Sequence, residues 1–376
     1  MKVLHLRSSG GFYGAESVIL NLSRSIGEYG VESYICCINN QKNPHTELVD
    51  RAKEQGLEAF AISCRGLFDQ QTVKSIHDLI VQKNIDILHC HDYKADILGV
   101  LACRGLNIKR IATNHLWTHA GFKLHCYEFI DGFFLNQFHK VIAVSDKIAD
   151  ETRFFLWNKK KVEVIYNGID IDSFSKKQGT DFKKLKVDLG FGENDFLIGN
   201  IARLSPEKDQ TTLLYAFASI LKKKKEYASK LRLFFVGDGV DKNKLIALAE
   251  ELGVSKNVVF FGARNNITDF YSVMDVYVLS SRREGLPMVL LEAMAAQIPI
   301  VATNIDGVTT LIQNEKTGIL VRPKNTEGLA SAIMLLLQDQ KKAEFLAVQG
   351  RKLVEEKFSS VIMAKQYKQV YESVLN

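Results

Sequence analysis

SRREGLPMVLLEAMAAQIPIVAT, residues 281–303, holds two carboxylates, Glu284 and Glu292, eight positions apart. Gly285-Leu286-Pro287 follows the first carboxylate. An apolar stretch carries the second, and a short β-like run, Ile298–Ala302, closes the unit. Pro287 suits the first turn of a helix, where its missing N–H costs nothing. Gly285, Leu286, Met288 and Val289 then present main-chain N–H groups at a helix N-terminus, an end that carries partial positive charge and binds phosphate. Glu284 stands just before that anion site and Glu292 about two turns inside the helix. Carboxylates repel phosphate but accept hydrogen bonds from hydroxyls. Amides for phosphate flanked by two hydroxyl acceptors describe a pocket for a nucleotide sugar.

Outward from this helix and strand the same alternation continues in both directions. Apolar β-like runs occur at 2–7, 32–38, 58–62, 85–89, 109–113, 140–144 and 162–166. They restart at 195–201 and recur at 231–236, 257–261, 275–279, 298–302 and 317–321, with helical patterns between. Near-continuous apolar strands joined by helices predict parallel sheets covered on both faces. The chain has 376 residues, 46% hydrophobic and 24% charged, enough for two domains each with its own core. The expected class is therefore α/β, with two Rossmann-like doubly wound parallel-sheet domains facing a cleft. The boundary is expected near 167–190, after the Asn167-Gly168 turn signal.

The string EGLP, LEAMA, PIVAT resembles the E-x7-E motif of retaining glycosyltransferases with the GT-B fold, in particular family 4 (group 1). The resemblance implies an N-terminal acceptor-binding domain, 1–175, and a C-terminal nucleotide-sugar domain, 176–355. It also implies a final helix, 356–376, that returns to the first domain. It gives Glu284 the donor-sugar hydroxyls and Glu292 the ribose.

Three further segments extend the likeness. Arg203 and Lys208 lie in IARLSPEK, 201–208, after the first strand of the second half. Ligands bind beyond the carboxyl ends of parallel strands, and Arg and Lys there suit phosphate oxygens. The segment looks like the family's G-R-L-x-x-x-K-G pyrophosphate motif, except that Ala202 and Asp209 replace its glycines. Asp209 either weakens the local positive potential or caps the next helix. Gly10 and Gly11, in the loop after the first strand, let backbone approach a ligand closely. In the family this loop lies over the donor diphosphate and sugar, while the nearby Glu16 caps or starts the next helix. His115, after strand 109–113, falls where family members place a histidine near the reaction centre. Arg264 follows strand 257–261, where the family holds the nucleobase. Asn304–Thr310 matches a loop usually rich in paired glycines, with Asp306 and Thr310 as departures.

The implied reaction is metal-independent transfer of a sugar from a nucleoside diphosphate sugar to a hydroxyl, with retention. Arg203, Lys208 and the amides at 285–288 stabilise the leaving diphosphate in place of a metal. No carboxylate pair with nucleophile logic is evident, so a same-face displacement is favoured over a covalent intermediate. The associated setting is synthesis of bacterial polysaccharide, lipopolysaccharide or glycolipid. Two other readings stand open: a nucleotide-sugar-binding protein without catalysis, and a GT-B epimerase.

No cofactor and no metal are expected. His89 and His91 share a strand face, but no further ligand cluster is evident, and a closed zinc site takes four ligands. Asp170-Ile171-Asp172 reads as a turn and linker. The six cysteines contain no C-x-x-C pair and read as buried thiols, which favours the cytoplasm. No run is long and apolar enough to span a bilayer. The net charge of +6 includes lysine clusters at 159–161, 183–186 and 222–225. These are solvated ends, or they draw the protein to anionic lipid at the inner face of the cytoplasmic membrane. No aromatic-basic pattern points to nucleic acid. The aromatic segment 117–138 is either a core-facing helix or an interfacial patch that grips a membrane or lipid-linked acceptor.

Overall fold

The computed structural model describes residues 1–8, 10–67, 69–115, 130–175 and 180–376. The chain divides into two units. The first comprises Met1–Ile169 with Phe358–Asn376, and the second comprises Asp170–Lys357. The boundary thus falls at Ile169/Asp170 rather than at 175/176. Asp170 begins the turn expected of Asp170-Ile171-Asp172: its carboxylate accepts from Ser173 Oγ at 2.5 Å as a short 3-10 helix, Asp172–Phe174, begins.

The first unit is a seven-stranded parallel sheet in the order β3-β2-β1-β4-β5-β6-β7. Its members are β1 (Lys2–Ser8), β2 (Glu32–Asn40), β3 (Glu58–Cys64), β4 (Ile87–Cys90), β5 (Lys109–Asn114), β6 (Lys140–Ala143) and β7 (Val162–Val164). Central strands are buried on both faces, which is why they read as continuous apolar runs. The helix Ser360–Leu375 ends the chain in this unit and packs on the helix Gly14–Gly27. The second unit is a six-stranded parallel sheet in the order β10-β9-β8-β11-β12-β13. These are β8 (Phe196–Ile201), β9 (Leu231–Val236), β10 (Val258–Phe260), β11 (Val276–Leu279), β12 (Ile300–Thr303) and β13 (Ile319–Val321).

Cys36, Cys37, Cys64, Cys90 and Cys103 are buried, and Cys126 lies outside the described residues. Burial pushes the Cys36 thiol up and Cys103 to about 12, so these groups pack as small apolar side chains. Among the described residues, no helix is long and apolar enough to cross a membrane.

Candidate active site

In the second sheet the strand order runs outward both ways from the adjacent pair β8 and β11. That is a topological switch point, where the loops leaving the carboxyl ends of two neighbouring strands open a ligand crevice. Here they are tied to each other. Arg282 N donates to Glu207 O at 2.8 Å, and Ser280 Oγ donates to Lys208 O at 3.0 Å. Beneath them, Tyr277 Oη donates to Ile201 O at 3.1 Å and Asn200 Nδ2 to Val278 O at 2.8 Å. The IARLSPEK loop and the REGLP loop therefore form one platform.

On this platform Lys208 Nζ reaches both oxygens of Glu284, at 2.7 and 2.9 Å. Ser281 Oγ donates to the same carboxylate at 2.6 Å. The pair is shielded, with side-chain exposures of 19% and 8%, so its charges interact more strongly than at a free surface. Arg203 behaves differently: its guanidinium is half exposed and pairs with Glu207 on its own loop. Of the two basic groups, Lys208 is the one held at the start of the REGLP segment.

Asp209 sits at the N-cap of the helix Gln210–Lys223 in the left-handed region, φ 48° and ψ 42°. A left-handed position is where glycine is favoured and Asp is tolerated, which accounts for a glycine in the family's motif here. Of the two readings of Asp209, the side-chain cap does not form. The carboxylate instead accepts from Arg282 Nη2 and Thr212 Oγ1, both at 2.9 Å.

The helix after REGLP runs Met288–Ala295, with Pro287 as its N-cap at ψ 106°. The expectation placed Pro287 inside the first turn. The extended ψ puts it one position earlier, so Met288 opens the helix. The consequence for the anion site is unchanged: among the described residues, no main-chain carbonyl or side chain accepts from the amides of Gly285, Leu286, Met288 and Val289. Gly307 braces this turn from below. At φ +80° it lies so close that an added Cβ would sit 2.1 Å from Gly285 O. The loop 304–310, whose role the sequence left open, is thus the floor of the REGLP turn. Gly237 makes an equivalent approach to the other loop, with a Cβ 2.0 Å from Ala202 O. Neither contact was legible in the chain, because each links residues that only the sheet order brings together.

Glu292 is buried, and its Oε2 accepts from Tyr271 Oη at 2.7 Å. Burial raises its pKa from 4.5 to about 7, with the Tyr271 bond opposing. Its folded value exceeds its unfolded value, so its stabilising contribution is complete below pH 4.5. That contribution is lost as the pH rises through 7. Tyr271 was not anticipated; an apolar-looking helix, Ile267–Val273, concealed it. Arg264 is exposed on the loop that follows β10.

The first unit gathers the remaining candidates at the carboxyl ends of β1, β4 and β5. Gly11 has φ +137°, strained for any side chain, whereas a Cβ on Gly10 would meet nothing. Only Gly11 therefore needs to be glycine on backbone grounds. Glu16 is buried, accepts from Tyr13 N at 3.1 Å as part of a capping box, and pairs with Arg7 Nε at 2.9 Å. His115 stacks on His91 and the two ring nitrogens lie 3.3 Å apart. The parallel register sets His5 beside His89, so His5, His89 and His91 form a buried cluster. Both His89 nitrogens are engaged, Nδ1 with Tyr371 Oη at 2.8 Å and Nε2 with Thr113 Oγ1 at 2.7 Å.

Of the aromatic segment 117–138, Trp117, Phe122, Tyr127 and Phe129 lie outside the described residues. Phe138 is in the core and Phe133 is 58% exposed. The exposed ring of Trp157 lies 6.2 Å from that of Phe133, and Phe154 is also exposed.

Comparison with known proteins places this architecture. The family model "Glycosyltransferase Family 4" matches residues 12–173, and "Glycosyl transferases group 1" matches 181–353. N-acetyl-alpha-D-glucosaminyl L-malate synthase of Bacillus anthracis is 29% identical over 82% of this chain and 80% of its own length. The UDP-Gal:alpha-D-GlcNAc-diphosphoundecaprenol alpha-1,3-galactosyltransferase of Escherichia coli is 24% identical over 90% and 89%. Among solved structures, Anabaena Alr3699/HepE in complex with UDP-glucose superposes with a TM-score of 0.87. It is 22% identical over 99% of this chain and 100% of that one. With one model matching most of each unit, and the switch-point platform inside the second, the chain belongs to the family 4, group 1 glycosyltransferases and has the GT-B fold.

Proposed function

We propose that this glycosyltransferase moves a sugar from a nucleoside diphosphate sugar to a hydroxyl of a lipid-linked or glycan acceptor, with retention and without a metal. The observation that carries the reading is Lys208 held against Glu284 beside the amides of Gly285, Leu286, Met288 and Val289, which have no partner among the described residues. In the reaction the bond from the anomeric carbon to the diphosphate oxygen breaks, and its electron pair leaves on the diphosphate. The acceptor oxygen bonds to the same face of that carbon, and its proton passes to the departing phosphate. Lys208 and the amides meet the developing negative charge, which is where fixed donors are most effective. Arg203, half exposed and paired with Glu207 on the same loop, would add its guanidinium to the phosphate oxygens. Glu284 orients sugar hydroxyls. The solved neighbour's complex with UDP-glucose makes uridine diphosphate sugars the first donors to assay. A labelled panel incubated with cell-envelope lipid tests the reading, and binding of donor with neither transfer nor hydrolysis would overturn it.

Glu292 accepts hydroxyls of the ribose in this scheme, and that requires the ionised form. With its carboxyl titrating near 7, UDP-glucose, whose doubly esterified diphosphate does not itself titrate in this range, should bind about tenfold more tightly at pH 8 than at pH 6. Calorimetry on Glu292→Gln should show a weaker but pH-independent affinity. A wild-type affinity that is flat across that range would exclude Glu292 from the donor site.

The supporting surface for a lipid-linked acceptor is the exposed pair Phe133 and Trp157, with exposed Phe154, Lys159 and Lys160 within three residues of Trp157 in the sequence. Aromatics at the headgroup level and lysines against anionic lipid act together. Flotation with vesicles of phosphatidylcholine and phosphatidylglycerol should show binding that falls roughly tenfold in the Phe154→Ala/Trp157→Ala variant. Equal binding by the variant removes the patch from the proposal.

A further inference from the structure

His5, His91 and His115 form a chain of three imidazoles. His5 Nδ1 lies 3.0 Å from His91 Nε2, and His91 Nδ1 lies 3.3 Å from His115 Nε2. The two atoms left over, His5 Nε2 and His115 Nδ1, are both buried with no hydrogen-bond partner. The orphans are thus the two ends of one chain.

Burial lowers His5 and His115 to about 3, with Arg7 assisting at His115. It lowers His91 too, with His89, His5, His115 and Arg7 adding to the effect. Arg7 is itself fixed by Glu16 and Asp92 and donates to His91 O at 2.6 Å. Each ring is therefore neutral near pH 7 and carries one N–H.

Counting protons leaves two arrangements that make both junctions. If His91 donates to His5, its Nδ1 must accept from His115, and all three rings carry the proton on Nε2. If His91 donates to His115, its Nε2 must accept from His5, and all three carry it on Nδ1. Each arrangement leaves one N–H and one lone pair unpartnered at the ends, so neither has an advantage in satisfied groups. A polar group that arrives at either end selects the arrangement.

We propose that His5 and His91 are positioning residues that lock the tautomer of His115 to their own, so that His115 Nδ1 switches between donor and acceptor toward a sugar hydroxyl without becoming charged. This rests on the reading that sets His115 at the reacting sugar. A hydroxyl both donates and accepts, and a site that must hold it before and after it gives up its proton gains from such a group. His89 stays outside the chain. Its nitrogens are spent on Tyr371 and Thr113, and its ring packs 4.1 Å from that of His91.

Long-range proton–nitrogen correlation spectra of the whole protein, labelled with ¹⁵N-histidine, read the tautomers directly. All three rings should be neutral at pH 7, should share one tautomer or one exchange-averaged ratio, and should shift together on addition of UDP-glucose. Different tautomers at His5 and His115, or a charged ring among the three, would overturn the chain. In turnover assays with UDP-glucose and envelope lipid, His5→Phe should lower kcat roughly tenfold with KM unchanged, less than loss of a group that itself moves a proton. His5→Asn, which keeps a polar atom near the Nδ1 position, should restore most of it. Failure of that rescue with both variants folded also overturns the coupling. If His115→Ala leaves kcat unchanged while the three wild-type rings still report together, the assignment of His115 to the reacting sugar fails and the coupled chain stands.

Discussion

Replacing Lys208 with alanine is expected to lower kcat by about a hundredfold to a thousandfold, the loss typical of one fixed donor to developing negative charge, or about 2.7–4 kcal/mol. KM for the donor should change little, because the charge that Lys208 meets grows only as the bond to the diphosphate breaks. The same substitution disturbs folding by a separate route. Glu284 is 8% exposed and, among the described residues, would keep only the Ser281 hydroxyl as a side-chain partner. An uncompensated carboxylate at that depth costs stability, up to about 3 kcal/mol by comparison with broken buried pairs. The double variant Lys208→Ala/Glu284→Gln separates the two effects. It should recover most of the melting temperature and none of the turnover. Stopped kinetics and calorimetry on the two variants decide the matter. If Lys208→Ala keeps more than a tenth of wild-type kcat, the leaving charge is met elsewhere and the proposed mechanism fails.

The thirteen strands among the described residues were legible because each is a short apolar run bounded by helix patterns, and burial on both faces of the central ones leaves no polar alternation to blur them. Lys208, Glu284 and Glu292 were legible because charge is conspicuous in an apolar or glycine-rich setting. What the chain did not disclose depends on which strands are neighbours. The bond from Lys208 to Glu284 spans 76 positions and exists because β8 lies beside β11. Tyr271 meets Glu292 because its helix packs over the same sheet, and nothing in Ile267–Val273 marks one side chain as polar-facing. His5 looked like one residue of an apolar strand. The register that aligns it with His89 turns a strand-end pair of histidines into a cluster. The shift of Pro287 from inside the helix to its cap is local: either position spares the missing N–H, and only ψ distinguishes them.

Gly307→Ala is expected to destabilise the second unit strongly for the addition of a single methyl group. Two costs add. At φ +80° an alanine carries left-handed strain of about 1–2 kcal/mol. Its Cβ would also stand 2.1 Å from Gly285 O and 2.7 Å from Glu284 O, which are main-chain atoms that cannot rotate away. Overpacking of that kind costs about 1–3 kcal/mol. The loss of roughly 2–5 kcal/mol should appear in the calorimetric transition of this unit at about 2–4 °C per kcal/mol. Gly253→Ala supplies the control: its φ is +69°, in the same unit, and no atom lies within 4 Å of the added Cβ. It reports the strain alone, net of the small gain from a stiffer unfolded chain. Relief of the clash requires the Glu284–Gly285 and Gly285–Leu286 peptides to move, and these carry the first of the amides proposed to hold the diphosphate. Affinity for UDP should therefore fall in Gly307→Ala and hold in Gly253→Ala. Were the two variants to melt together and bind UDP alike, the 304–310 loop would not be the floor of the site, and the amides of the REGLP turn would owe their aim to the helix alone.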